Sequence, residues 1–313
     1  MEKNSKIYIA GHNGLLGSAI KRTLEKEGYS NLLYRSSSEL DLRYQSETFK
    51  FFDKEKPDYV FFAAAKVGGV KVNDALRADF IYDNIQIQNN IIHAAWKNKV
   101  EKLLFIGSNC IYPQMAPQPL NEDSLLEGHV EPTNEAYAIA KISGIKMCQA
   151  FNYQYGTNFV TIIPASLFGP GDNFDLESSH VTPALIRKFH EAKISENPHL
   201  TLWGTGNSRR EIMYVDDAAD ACIFIMKNYN NSEIINAGIK VDYTIKEIAQ
   251  MVKEVVGYEG SFSFEGKKKS GIKQKLLDSS KISKIGWRPK HSIREGLEKT
   301  YEWFKRQPLP QIL

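Results

Sequence analysis

Tyr137 and Lys141, in the run Glu135-Ala136-Tyr137-Ala138-Ile139-Ala140-Lys141, stand four residues apart. That spacing puts both side chains on one face of a helix. A free phenol titrates near ~10, too high to ionise often at neutral pH. A cation one turn away stabilises the phenolate and so makes the phenol a better proton donor to a carbonyl oxygen. Ser108 offers a third group. It follows the apolar run Leu103-Leu104-Phe105-Ile106, in Gly107-Ser108-Asn109-Cys110-Ile111-Tyr112-Pro113. If that run is a strand of a parallel sheet, Ser108 lies at the carboxyl edge, where ligands of such sheets bind. Ser108, Tyr137 and Lys141 together make an apparatus for reducing a ketone.

Such a reduction needs a hydride donor, and the N-terminal segment has a place for one. Gly11-His12-Asn13-Gly14-Leu15-Leu16-Gly17 follows the short apolar run Lys6-Ile7-Tyr8-Ile9-Ala10 and opens an amphipathic segment. Glycines between a strand and a helix allow a tight turn, let backbone approach a pyrophosphate closely, and leave the helix N-terminus facing the anion. The end of the second strand chooses between NAD and NADP, an acid suiting a ribose hydroxyl and a cation a 2′-phosphate. Here it reads Tyr34-Arg35-Ser36-Ser37-Ser38, with no acid before Glu39. One cation and three hydroxyls suit the phosphate, so the expected cofactor is NADP(H).

The elements that must position these residues alternate. Strands are expected at 6–10, 32–34, 59–63, 103–106 and 160–163. Helices are expected at 14–26, 47–54, 78–97 and 137–155, from apolar residues at helical spacing. This alternation predicts a doubly wound parallel sheet, a Rossmann fold of the α/β class. After Pro164 the rhythm breaks into a Gly169-Pro170-Gly171 loop, helices near 183–192, 245–256 and 293–304, and a strand at 200–203. A basic loop, Lys267-Lys268-Lys269-Ser270-Gly271, lies among them. The expected division is a cofactor-binding domain over 1–165 and a smaller, mainly substrate-binding domain over 166–313, with part of the chain after 205 returning to the first.

Composition bounds the partners. The 313 residues are 42% hydrophobic and 25% charged, ordinary values for a globular chain. Lys and Arg number 40 against 37 acids, a net charge of +3, too small an excess to argue for nucleic acid or a membrane surface. Cys110, Cys148 and Cys222 have no CxxC spacing, so neither a disulfide framework nor a metal site is expected. The N-terminus has no signal-peptide core, and no apolar stretch of about 18 residues occurs. The expectation is a reduced, cytoplasmic enzyme.

Longer stretches carry a resemblance. AGHNGLLGSAI, AAAKVGG, ADFIYDN, NIIHAA, KLLFIGSNCIYP, EPTNEAYAIAKISGIK, GPGDNF, SHVTPALIRKFHEA, LWGTG and KLLD span nearly the whole chain. With them it resembles the extended short-chain dehydrogenases/reductases, and within these the GDP-L-fucose synthase family. The resemblance implies a GDP-4-keto-6-deoxy sugar as substrate, epimerised at C3 and C5 and then reduced at C4 by NADPH. The alternatives are C4 reduction without epimerisation, or a different GDP-4-keto sugar such as a dideoxyhexose or a 6-deoxyheptose. It makes Tyr137 the general acid, Lys141 its tuner and a ribose ligand, Ser108 the carbonyl partner, and Cys110 and His180 the pair that supplies the base and the acid of the epimerisation. Implied cofactor contacts are Gly11 to Gly17, Ala63, Ala64, Ala65, Ile106, Gly107, Ser108, Asn109, Pro164, Ala165, Ser166, Leu167 and His180, to which the second-strand loop read above adds Arg35, Ser36 and Ser37. Implied substrate contacts are Lys188, Trp203, Arg210 and Asp278. The family's arginines toward the 2′-phosphate are replaced here by Asn13 and Ser37. Its PTNLYGP and NTYPADF stretches read Pro164 to Pro170 and Asp74 to Phe80. A homodimer built on the helices around 81–97 and 137–155 is also implied.

Overall fold

A computed structural model describes residues 1–266 and 272–307; the basic loop expected at 267–271 lies outside the described residues. A six-stranded, all-parallel sheet forms its centre. Its strands are β1 (Ile7–Ala10), β2 (Leu32–Leu33), β3 (Tyr59–Phe62), β4 (Lys102–Ile106), β5 (Phe159–Pro164) and β10 (Ile235–Ala237). They run in the order β10-β5-β4-β3-β1-β2. β1, β4 and β5 are buried along their whole length, as strands covered on both faces must be.

Helices α1 (Leu15–Lys26), α2 (Gln45–Glu55), α3 (Val70–Ala75), α4 (Arg77–Lys97), α5 (Glu135–Tyr155) and α7 (Val215–Asn228) surround the sheet. α1 packs on α7, and α4 packs on both α5 and α2. In α1 the buried residues Leu16, Gly17, Ala19, Ile20 and Leu24 form one stripe, the 3.6-residue period of a helix with one apolar face. The chain crosses from β2 back past β1 to β3, so the sheet's switch point lies between β1 and β3. Doubly wound sheets bind ligands in the crevice above such a point.

The remaining strands are short. β6 (Ser166–Phe168) pairs with β9 (Ile212–Tyr214), and β7 (His199–Trp203) with β12 (Ser261–Glu265). β8 (Arg209–Arg210) lies between β11 (Tyr243–Thr244) and β13 (Gln274–Lys275). α6 (Val181–Ile194), α8 (Ile245–Val256), α9 (Ser280–Lys284) and α10 (Ile293–Lys305) complete the described chain. α8 and α10 each start on a capping box, Thr244 with Glu247 and Ser292 with Glu295, which satisfies otherwise orphaned N–H groups. α7 and β10 do not stand out in the sequence. The N-cap of α7, Tyr214, gives no side-chain cap, and a strand of three residues is too short for a periodic signal.

Candidate active site

The glycine turn sits at the switch point. Gly11 has φ +83°, and a Cβ there would lie 2.7 Å from the Ala64 Cα and 2.9 Å from the Ala63 carbonyl carbon. A Cβ on Gly17 would lie 2.0 Å from the Gly11 carbonyl oxygen. Only glycine fits at either place, so α1 starts hard against the ends of β1 and β3. The Gly14 N–H donates to the Gly11 carbonyl at 3.0 Å. Together with Ala63 and Ala64 this forms a narrow backbone cradle, shaped for a pyrophosphate at a helix N-terminus. The His12 ring lies against that of Tyr34, tilted by 31° with centroids 4.8 Å apart, and among the described residues its buried Nδ1 has no partner.

Beyond β2, Arg35 donates to the Tyr34 carbonyl at 2.7 Å and lies 3.4 Å from the Glu55 carboxylate, back toward α2. The Ser36 N–H and hydroxyl both donate to one oxygen of Glu39, each at 2.7 Å, and Ser36 and Ser38 share a hydrogen bond of 2.9 Å. Those hydrogen bonds hold the Glu39 carboxyl below the usual range, with Arg35 and His12 adding to the effect. The cation and hydroxyls expected for a 2′-phosphate are present, and an acid sits among them.

At the end of β4, Ser108 caps the short turn Asn109–Ile111, its hydroxyl oxygen accepting from the Cys110 N–H at 3.4 Å. Lys141 is 2% exposed, and its ammonium donates to the Ile106 carbonyl at 2.9 Å. It lies 4.9 Å from the Phe105 ring centroid and 5.8 Å from that of Tyr137. Burial holds Lys141 down to about 8. Burial also pushes the Tyr137 phenol up, the Cys110 thiol adding to the rise and hydrogen bonding to Ser108 opposing it. The Tyr137–Lys141 spacing predicts a lowered phenol; loss of hydration raises it instead. The phenol is therefore held protonated, the state a proton donor needs.

The neighbouring strand end is tied to this cluster. Pro164 ends β5, the Ala165 N–H donates to the Ala237 carbonyl at 2.9 Å, and the Asn109 amide donates to the Ser166 hydroxyl at 3.4 Å. Leu167 lies in β6. His180 is the N-cap of α6 and is accessible from the cleft. Crowding by protein and the charge of Lys275 lower its pKa. Cys110 is 6% exposed, and burial pushes its thiol up against the pull of Lys275, Ser108 and Lys141.

A family model for the NAD dependent epimerase/dehydratase family matches residues 7–238. The putative GDP-L-fucose synthase 2 of Arabidopsis thaliana is 53% identical over 304 residues, 97% of this chain and 93% of that protein. Among solved structures, a GDP-6-OMe-4-keto-L-xylo-heptose reductase from C. jejuni superposes with a TM-score of 0.94 at 41% identity, covering 97% of this chain and 99% of that one. A GDP-L-fucose synthetase from Naegleria fowleri bound to NADP gives 0.90 at 27% identity, covering 97% and 95%. The chain belongs to the NAD dependent epimerase/dehydratase family, in its GDP-L-fucose synthase branch.

For this member of the GDP-L-fucose synthase branch, the candidate substrate residues fall on scattered elements. Lys188 is half-buried on α6, eight residues after His180. Arg210 lies on β8, donating to the Arg209 carbonyl at 2.7 Å; burial lowers its pKa and Glu131 opposes that. Asp278 follows β13, and one carboxylate oxygen already accepts from the Ser280 N–H at 2.9 Å. Trp203 ends β7 and is 63% exposed, so its indole is open to solvent rather than packed into the core. Lys275 and Glu131, which do not stand out in the sequence, both bear on Arg210. Lys275 is the first residue of the KLLD stretch, and its strand partner, not its neighbours in sequence, brings it to Arg210.

Proposed function

We propose that the protein is an NADP(H)-dependent GDP-L-fucose synthase, converting a GDP-4-keto-6-deoxy sugar by C3 and C5 epimerisation followed by C4 reduction. The observation that supports it most is the gathering of Ser108, Cys110, Tyr137 and Lys141 at the end of β4, where Lys141 donates to the Ile106 carbonyl, Ser108 accepts from the Cys110 N–H and Ser108 hydrogen-bonds Tyr137.

When bound, NADPH supplies the hydride that reduces C4. The residues that hold it are Gly11 to Gly17, Arg35, Ser36 and Ser37, Ala63 to Ala65, Ile106 to Asn109, Lys141, Pro164 to Leu167 and His180; the close glycine cradle fits a dinucleotide phosphate. Tyr137 gives its proton to the C4 oxygen and regains one from solvent. Lys141, at about 8, is largely charged at neutral pH and stabilises the transient phenolate. Ser108 donates to the same oxygen and orients the ketone. Carbon atoms beside a ketone lose protons to give an enolate, and inversion needs a base on one face and an acid on the other. Cys110 and His180 take those places. Lys188 and Arg210 meet the diphosphate, Asp278 accepts from hydroxyls, and Trp203 closes on the sugar or base as it loses exposure.

The segment 1–165, completed by the returning α7 and β10, holds the cofactor, and the chain from 166 onward mainly holds the sugar nucleotide. The enzyme works in the cytoplasm, where Cys110 stays a free thiol. Among the described residues no helix is long and apolar enough to cross a membrane. It acts as a homodimer, paired through α4 and α5, which expose Tyr82, Ile139 and Tyr153. Light scattering is expected to give twice the chain mass of 35.5 kDa; a concentration-independent monomer refutes the pairing.

The test uses GDP-4-keto-6-deoxymannose in heavy water with NADPH, followed by NMR of the product. Deuterium is expected at C3 and C5 with wild type and not with Cys110→Ser. A C4-reduced product without deuterium moves the enzyme to C4 reduction alone. A panel including dideoxyhexose and 6-deoxyheptose derivatives then finds the sugar turned over fastest.

A further inference from the structure

His180 follows a turn that is knitted together locally. The Asp175 carboxylate accepts from the Glu177 N–H, the Ser178 N–H and the Ser178 hydroxyl at 3.1, 2.9 and 2.8 Å. The Asn173 amide donates to the same hydroxyl at 2.8 Å, and the Ser179 N–H to the Asp175 carbonyl at 2.9 Å. These bonds fix the shape of the turn but not its place in the molecule. Its place is set from outside, by the segment that leaves β3. The N–H of the buried Gly69 donates to the Ser178 carbonyl at 2.9 Å. A Cβ on Gly69 would lie 2.7 Å from the Ser179 carbonyl oxygen and 3.2 Å from that of Ser178. Only a hydrogen fits there. Other ties reach the turn farther from His180: Arg187 donates to the Phe174 carbonyl at 3.2 Å, and Lys71 meets Glu177 at 3.1 Å. The second joins two exposed side chains, a kind of pair that holds little.

The support is itself fixed. The buried Asn84 accepts from the Lys66 N–H at 2.9 Å and donates to the carbonyls of Lys66 and Phe80 at 3.0 and 2.7 Å. The buried Asn73 donates to the carbonyls of Gly68 and Gly69 at 2.6 and 3.2 Å. Gly69 has φ −66° and ψ 171°, angles open to any residue, so the absence of a side chain serves the contact and not the backbone angle. The same segment begins at Ala63 and Ala64, against Gly11 of the glycine turn. Phe80, whose ring a Cβ on Gly68 would approach to 3.3 Å, packs edge-on against Tyr137 with centroids 6.4 Å apart.

We propose that Gly69 is a positioning residue for His180: its bare α-carbon lets the segment after β3 seat the Ser178–Ser179 backbone, and that seat fixes where the next residue presents its imidazole. The inference rests on the epimerase reading above. Close-packed interiors pass a displacement on rather than absorb it. A methyl group on Gly69 must push the Ser179 carbonyl, and the peptide that this carbonyl belongs to is the one that leads into His180. Proton transfer at carbon depends on that placement, whereas Tyr137 is carried separately by α5.

Gly69→Ala and Gly68→Ala are compared with wild type in assays that separate the two chemistries. Deuterium uptake at C3 and C5 of GDP-4-keto-6-deoxymannose is followed by NMR with NADP+ bound, so that no reduction occurs. Hydride transfer is followed alone as NADP+ reduction by GDP-L-fucose. In Gly69→Ala, uptake is expected to fall about tenfold, because small misplacements of a reacting group cost this much. Hydride transfer is expected to stay within about twofold. Gly68→Ala crowds the side chains of Phe80 and Val72 instead, and its uptake is expected to stay near wild type. Without any sugar, amide hydrogen exchange of the peptide containing 175–182 is expected to be faster in Gly69→Ala only. Unchanged uptake in Gly69→Ala, equal losses of uptake and hydride transfer, or the same loss in Gly68→Ala each overturn the proposal. So does unchanged amide exchange in that peptide. If Gly69→Ala does not fold, Asn73→Ala, which frees the carbonyls of Gly68 and Gly69 without adding an atom at the contact, takes its place under the same criteria. If wild type itself takes up no deuterium, the epimerase reading fails, and the amide-exchange arm alone decides whether Gly69 seats the His180 segment.

Discussion

The two proposed proton-transfer sets are built in different ways. Ser108, Tyr137 and Lys141 come from β4 and the next long helix, and Lys141 is tied by its ammonium to the carbonyl of Ile106 at the end of that strand. Lys141 is buried, Ser108 and Tyr137 are half-buried, and the set is carried by the largest sheet. Cys110 and His180 come from a turn and a helix N-cap, and among the described residues no hydrogen bond joins their side chains. One set is held as a unit of secondary structure. The other draws on segments far apart in the chain, so substitutions should separate them.

The largest separation is expected from Tyr137→Phe. A positioned general acid contributes roughly 10²- to 10⁴-fold, so NADPH oxidation should fall about 10³-fold, equivalent to ~4 kcal/mol of barrier. Exchange of the C3 and C5 protons with heavy water depends on the other set and should fall less than about tenfold. Stopped assays of NADPH absorbance and NMR of recovered sugar give the two rates on one sample. Equal losses in both would show that a single cluster performs all the proton transfers, and the distinction between them would disappear.

The same contrast explains what was legible beforehand. The glycine turn, the strand ends and the Tyr137–Lys141 spacing are local patterns, and each marks where its own segment sits in a doubly wound sheet. The five main parallel strands and the helices between them follow from the same periodicities. β10 does not, because its three residues, Ile235–Ala237, join the sheet only through β5, far away in sequence. Glu39 was legible as an acid in the second-strand loop, but not that its carboxylate occupies the donors of Ser36. Hydration also decided the direction of the Tyr137 shift, and a helix spacing contains no information about burial.

The smallest expected effect concerns the cofactor side. One oxygen of Glu39 takes both the N–H and the hydroxyl of Ser36, and these are donors that a 2′-phosphate on this loop would need. Arg35 meanwhile pairs with Glu55. A phosphate there must displace one carboxylate from Ser36 and draw Arg35 away from another. Removing the Glu39 charge in Glu39→Gln should therefore lower KM for NADPH by about threefold and leave KM for NADH nearly unchanged, because like charges repel only when the phosphate is present. Arg35→Ala should act in the opposite direction, raising KM for NADPH by about tenfold through the loss of a charge-assisted contact. If Glu39 serves only to cap the turn, both cofactors will bind more weakly in Glu39→Gln and their ratio will not move. That result places the 2′-phosphate away from Ser36 and leaves Arg35 as the only discriminating group on the loop to test.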